Sequence, residues 1–267
     1  MKPKFTISSP SNAQVKNLVL LQKKAKARDE QGIFVIEGIK MFEEAKALGL
    51  IIKAYASESF YQDIIKDEPK YFDGIEYELL TDSVFKEVAE TKTPQGVLAT
   101  VKQAKYQLED LLKAPDACLL LLEDIRDPGN MGTMIRTAEG AGVTGIIFGD
   151  STVDIYNPKV IRSTMGSIYR MPFYQVKDFY NTIPLIKEQG ITVFAAHLLG
   201  SSYDSEDYFK GKCAFLIGNE ANGLSERAVK EADKLIKIPM AGQVESLNAA
   251  IAAAILMYEA ARQRRLS

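Results

Sequence analysis

Five short apolar runs in the second half of the chain, residues 118–123, 145–148, 191–196, 213–217 and 234–238, show almost no alternation of polar and apolar side chains. A strand with one wet face alternates, so strands that do not are covered on both faces, the condition of a parallel sheet held between helices. Helical segments separate the runs. Residues 117–267 are therefore expected to form an α/β domain, with a mostly parallel sheet and helices on both faces.

Residues 1–104 have a different rhythm. Val15, Leu18, Val19 and Leu21 give residues 12–27 a short helical stripe. Strands are then expected at 33–36, 51–56, 76–80 and 97–101, with helices at 39–48, stopped by Gly49, and from Ser83. This predicts a smaller alternating α/β domain. Residues 105–116 turn polar, with Lys105, Glu109, Asp110, Lys113 and Pro115, and read as a linker containing a short helix.

With 46% hydrophobic and 25% charged residues, the composition is that of an ordinary globular chain. The first eleven residues are polar, and no apolar run reaches the roughly 18 residues of a membrane span, so the expectation is a soluble cytoplasmic protein without a membrane partner. Cys118 and Cys213 each adjoin an apolar run and read as small core residues. A single histidine, His197, and no clustered cysteines argue against a metal site of the usual zinc kinds. A Ser-His-Asp hydrolase would rest on that one imidazole with no GxSxG elbow, so His197 reads as a strand-end residue. The net charge of −2 argues against indiscriminate nucleic-acid binding. Basic residues are concentrated at the ends, however: Lys2, Lys4, Lys16, Lys23, Lys24, Lys26 and Arg28 precede the first acidic residue, and Arg262, Arg264 and Arg265 close the chain.

Three segments carry possible chemistry. Residues 122–137, LEDIRDPGNMGTMIRT, leave a strand through a Pro-Gly turn and enter a helix, the place where open α/β sheets bind ligands. Asn130 falls near the helix start, as an N-cap or a crevice residue, and Arg136 lies about one and a half turns on. Residues 215–225, FLIGNEANGLS, again end a strand in glycine: Gly218 permits close approach to the backbone, Gly223 supplies a turn, Glu220 sits in the loop and Ser225 is placed to cap a helix. The third segment begins at Ile236 as IKIPMAGQVESLNAA. A strand ends at Pro239, Ser246 is placed as N-cap of a long alanine-rich helix, and Leu247, Ile251, Ala254, Ile255 and Tyr258 form its apolar stripe.

In this order the three segments resemble the motifs of the SpoU/TrmH-type (SPOUT superfamily) RNA ribose methyltransferases. FVIEGIK at 34–40 and PQGVLA at 94–99 resemble the beginning and end of that family's substrate-binding domain. The resemblance implies a C-terminal trefoil knot that holds S-adenosylmethionine, preceded by a ribosomal-protein-like RNA-binding module. It also implies a homodimer acting on RNA, with ribosomal RNA preferred over transfer RNA. Gly218, Ile238, Met240 and Leu247 are expected around the adenosine, with Ala196 to Leu198 along another side. Asn130, Arg136, Glu220, Ser246 and Asn248 match the family's active-site positions. Arg136 is implied either as a phosphate-assisted base or, because arginine holds its proton, as a phosphate clamp. Glu220 either orients Arg136 or supports its loop, and Ser246 and Asn248 hold the cofactor or the ribose.

Three alternatives are a non-catalytic RNA-binding dimer, a dehydrogenase and a base methyltransferase on the same fold. Intact motif residues oppose the first, the missing GxGxxG turn opposes the second, and the Asn/Arg and Ser-Leu-Asn motifs favour ribose over base.

Overall fold

Caps and glycines cut the first hundred residues into short elements. A computed structural model describes residues 6–266; Lys2 and Lys4 of the basic stretch lie outside them. After β1 (Thr6–Ile7), the Asn12 side chain accepts the Gln14 N–H at 2.8 Å and starts α1 (Ala13–Lys23). Lys24 leaves the helical region at φ −126°, so the single helix expected at 12–27 is two, the second being α2 (Ala25–Gln31). There follow β2 (Ile33–Glu37), α3 (Ile39–Ala47), β3 (Ile51–Ser57), α4 (Glu58–Asp67), β4 (Tyr77–Leu80), α5 (Asp82–Val88) and β5 (Val97–Lys102). Helix α4, absent from the expected elements, sets Phe60, Tyr61, Ile64 and Ile65 at helical spacing, although none of its residues is fully buried.

These strands form a mixed sheet in the order β1-β4-β3-β5-β2. Leu18, Leu21, Tyr55, Leu80, Phe85 and Leu98 fill the core on one side of it. Lys16, Lys23, Lys24 and Lys26 are exposed. Arg28 is not part of that basic surface: it is 4% exposed and its guanidinium donates to the carbonyls of Leu21 and Gln22.

By packing, the chain divides into two units: the chain up to Ala104 together with Tyr156–Tyr169, and Lys105–Ile155 together with the chain from Arg170. Residues 105–116, read as a linker, contain α6 (Leu108–Leu112), whose Leu111 and Leu112 are buried in the second unit. The second unit continues with β6 (Cys118–Leu122), α7 (Pro128–Ala141) and β7 (Gly145–Gly149). Helix α8 (Pro158–Thr164) belongs to the first unit, where Tyr156 lies 4.7 Å from Phe34, centroid to centroid. The chain then returns to the second unit for β8 (Phe173–Val176), α9 (Phe179–Glu188), β9 (Thr192–Ser202), β10 (Cys213–Ile217), α10 (Glu226–Glu231), β11 (Lys234–Lys237) and α11 (Ala249–Arg265).

All six strands of this unit are parallel, in the order β11-β9-β10-β6-β7-β8. Leu119, Leu121, Ile147, Val193 and Leu216 form one face and share a core with residues of α6, α9 and α10. Their sequence neighbours Leu120, Phe194 and Phe215, fully buried, point the other way, where α11 packs on α7 and β10. Helices thus cover both faces, as the unalternating strands require. Cys118 and Cys213 are free, buried and in register on adjacent strands, with their sulfurs 3.8 Å apart.

Two expectations for α11 are corrected. Its buried side is Ala250, Ala253, Leu256, Met257 and Ala260, whereas Ile251 and Tyr258 are each 49% exposed. Alanine lets a neighbouring helix approach closely, so Ala250, Ala253 and Ala260 turn inward with Leu256 and Met257 while Ile251 and Tyr258 remain outside. The helix is capped by Asn248, whose side chain accepts from the N–H groups of Ala250 and Ile251, rather than by Ser246. Arg264, in the last turn, donates to the carbonyls of Asp116, Ala117, Phe209 and Gly211, so it ties the helix end to the sheet instead of forming a free basic patch.

Strand β11 is at the sheet edge, beyond β9, but α11 lies on β10 and α7. Residues 238–248 therefore run back across the C-terminal ends of the middle strands, a course consistent with the threaded C-terminus that the resemblance implies. Among the described residues no helix is long and apolar enough to cross a membrane, and no group of three or more His, Cys, Asp or Glu is placed to hold a metal ion.

Candidate active site

Every parallel strand delivers its following loop to the same sheet end, so residues far apart in sequence meet there. Beyond β6 the chain turns at Asp124, a non-glycine residue with φ +54°, and enters α7 with Pro128 in its first turn. The cap of that helix is Asp127, whose carboxylate accepts the Asn130 N–H at 2.8 Å; Asn130 is thus inside the first turn and its side chain is available for other work.

That side chain joins the three motifs. Asn130 Nδ2 donates to Glu220 Oε1 at 3.1 Å, and Asn130 Oδ1 accepts from Asn248 Nδ2 at 2.9 Å. The direction is set at both ends: Asn248 must present its oxygen to the start of α11, and a carboxylate can only accept. Glu220 also accepts the N–H groups of Arg126 (3.2 Å) and Asp127 (3.0 Å). Partial desolvation pushes the Glu220 pKa up, but the hydrogen bonds from Asn130 and from backbone N–H groups at Glu220, Asp127 and Arg126 outweigh it and hold it below the usual carboxylate value.

The loop carrying Glu220 is closed by Asn219 and Gly223, which pair backbone to backbone. Asn219 was not singled out in the sequence, yet its Oδ1 accepts from Ala221 and Asn222 and its Nδ2 donates to the Asp124 carbonyl at 2.8 Å. An asparagine four residues before a glycine that can take positive φ was the available signal. Gly218 is required by contact: a Cβ there would lie 2.3 Å from the backbone of Gly223.

A cavity of about 520 Å³ opens between this loop, residues 236–249 and an excursion of β9. Strand β11 pairs with Phe194 and Ala195 and then, without a break of its own, with Ser201 and Ser202, so residues 196–200 leave the ladder. Gly200 passes against β11 so closely that a Cβ would lie 2.5 Å from the backbone of Leu235 and Ile236. The excursion carries Ala196, His197, Leu198 and Leu199 to the cavity wall. Gly218, Ile238, Met240, Leu247 and Leu198, the residues expected around adenosine, all line this one cavity, as do Glu220 and Ser246. His197 accepts the Leu199 N–H on Nδ1 at 3.3 Å.

Arg136 and Ser246 are not part of the hydrogen-bonded chain. Both are exposed, Arg136 on α7 and Ser246 before α11, and neither makes a side-chain hydrogen bond or ion pair within the described residues. Glu220 does not pair with Arg136; its oxygens are used on the loop and Asn130.

Because the folded pKa of Glu220 is lowered, its network adds stability above the unfolded carboxylate pKa, and that contribution is lost as pH falls through the folded value. The difference in melting temperature between wild type and Glu220→Gln is expected to be largest near neutral pH and to shrink as the pH falls through and below the ordinary carboxylate range. A pH-independent difference would show that the ionised carboxylate is not what holds the loop.

Known proteins are similar to this chain over almost its whole length. The SpoU rRNA Methylase family model matches residues 117–258, and an MRM3-like substrate binding domain model matches residues 12–99. A 23S rRNA (guanosine(2553)-2'-O)-methyltransferase of Bacillus subtilis is 33% identical over 94% of this chain and 97% of its own length. A 23S rRNA (guanosine-2'-O-)-methyltransferase of Shewanella oneidensis is 30% identical over 88% and 96%. The crystal structure of an AdoMet-bound rRNA methyltransferase from Sinorhizobium meliloti superposes with a TM-score of 0.83 at 31% identity, covering 97% of each chain. With its three motifs joined at one cavity and matched along nearly their full context, this chain belongs to the SpoU rRNA Methylase family.

Proposed function

We propose that this protein transfers the methyl group of S-adenosylmethionine to a ribose 2′-hydroxyl of ribosomal RNA, in the cytoplasm. The observation that carries the reading is the chain Glu220–Asn130–Asn248, which joins all three motifs beside a cavity walled by Leu198, Gly218, Ile238, Met240 and Leu247. The cavity suits the cofactor. Its volume lies in the range of small-molecule sites and its walls are mainly apolar, and the missing side chain at Gly218 lets the loop that forms one wall close on itself.

When bound, S-adenosylmethionine supplies a methyl carbon on a positively charged sulfur. Its transfer to a ribose oxygen would leave a neutral thioether and would release the hydroxyl proton to solvent or to a phosphate oxygen of the RNA. Glu220 is occupied with three donors and serves to hold the loop. Arg136, exposed and uncommitted, clamps a phosphate of the RNA and so sets the hydroxyl in line. Ser246 lies at the cavity with a free hydroxyl to meet ribose or cofactor. Residues 12–99, with the exposed lysines of α1 and α2, select the RNA by its shape and exposed nucleotides.

The test is transfer of labelled methyl to rRNA and tRNA fractions from cells lacking the gene, followed by digestion to nucleosides. Wild type is expected to place label in a 2′-O-methylnucleoside of rRNA, and Arg136→Ala to lose roughly 100-fold or more of the rate. Label in a methylated base, or an unaffected Arg136→Ala, would contradict the reading.

The protein is further proposed to act as a homodimer. Ile251 and Tyr258, two turns apart on α11, leave large apolar surface in water that a second copy would cover. Sedimentation velocity is expected to give a dimer for wild type and a monomer for Ile251→Asp with Tyr258→Asp; a wild-type monomer at tens of micromolar would rule the pairing out.

A further inference from the structure

The loop that closes the cofactor cavity has open space on both sides. Asn219, Asn222, Gly223 and Leu224 line the cavity of about 520 Å³ and also a second one of about 510 Å³ on the far side. Leu224 packs on the core of the sheet, and the rest of the wall is placed by its hydrogen bonds. The second cavity holds a carboxylate to which the proposed reaction gives no part. Glu123 directly follows β6, is 7% exposed, and accepts three hydrogen bonds. Its Oε1 receives the Tyr180 hydroxyl (2.7 Å) and the Ser225 hydroxyl (2.6 Å), and its Oε2 receives the Ser225 backbone N–H (2.9 Å).

Ser225 ends the loop and caps α10, accepting the Ala228 N–H at 3.1 Å. Its backbone N–H is directed at Glu123, so the carboxylate fixes where loop becomes helix. The other end of the loop is tied to the adjacent residue, since Asn219 Nδ2 donates to the Asp124 carbonyl. Residues 123 and 124 thus grip both ends of a segment whose middle forms the cavity wall. Loss of the Glu123 acceptor would leave the part-buried Ser225 N–H without its protein partner and release one end of the wall.

We infer that Glu123 is a positioning residue for the cofactor: through Ser225 it sets the loop 218–225 against which S-adenosylmethionine binds. This rests on the proposed methyl transfer. It predicts a split between cofactor affinity and turnover that a general packing role would not produce.

The test is calorimetric binding of S-adenosylmethionine together with steady-state methyl transfer by the full-length protein. Glu123→Ala is expected to weaken cofactor binding and raise its KM about tenfold or more, with kcat at saturating cofactor within about threefold and the KM for RNA unchanged. Glu123→Gln keeps an oxygen for the Ser225 N–H and is expected to return the cofactor KM to within about threefold of wild type. If Glu123→Ala does not fold, Glu123→Asp draws the carboxylate back from the Ser225 N–H by one methylene and is expected to raise the cofactor KM about fivefold. A wild-type cofactor KM in Glu123→Ala, or in Glu123→Asp, overturns the inference, as does a loss confined to kcat. Failure of the wild-type protein to bind S-adenosylmethionine would instead overturn the proposed function itself.

Discussion

The Asn130 amide directs its donor to Glu220 and its acceptor to Asn248, and no other residue type of that size can do both at once. Those partners sit 90 and 118 residues downstream, in the other two motifs. Each has further obligations: Glu220 gathers the N–H groups that begin the α7 turn, and Asn248 satisfies the first N–H groups of α11. The start of one helix, the tip of a loop and the start of another helix are therefore held by one polar chain. Its central member can be rotated only by breaking a bond at each end.

This arrangement depends on the sheet beneath it. Parallel strands bring β6 and β10 to the same end in register, Leu122 beside Ile217, so that their loops emerge together. The excursion of residues 196–200 and the return of residues 238–248 then wall the cavity on the remaining sides. Two glycines make the closeness possible, Gly200 against β11 and Gly218 against the Glu220 loop, and in both cases the obstructed atoms are backbone. Apolar packing builds the platform, while polar bonds and missing side chains set the site.

Much of the platform was legible in the sequence, because strands covered on both faces leave unalternating apolar runs and β6, β7, β9 and β10 did so, while β11, at one edge, kept a shorter run between lysines. The exception, β8, is an edge strand whose Tyr174 and Gln175 are not buried, so its four residues carry little apolar signal. The extension of β9 past Ala196 is imposed by pairing with β11, which no local pattern in AHLLGSS announces. Helix α11 was misread on which side it buries, since hydrophobic size pointed to Ile251 and Tyr258 whereas close packing selected the alanines. The motif residues were found by their resemblance to a family. Which of them touch was not available from spacing: Asp127 rather than Asn130 caps α7, and Asn248 rather than Ser246 caps α11, because the better-placed oxygen is decided by the turn preceding each helix.

Asn130 and Asn248 act as one unit, and a double-mutant cycle measures their coupling. Stability to urea is compared for wild type, Asn130→Ala, Asn248→Ala and the double variant. A coupling on the order of 1 kcal/mol is expected, the second substitution costing less once the first has been made. Costs that add to within about 0.3 kcal/mol would contradict it, and would mean that the three motifs meet at the cavity without holding one another.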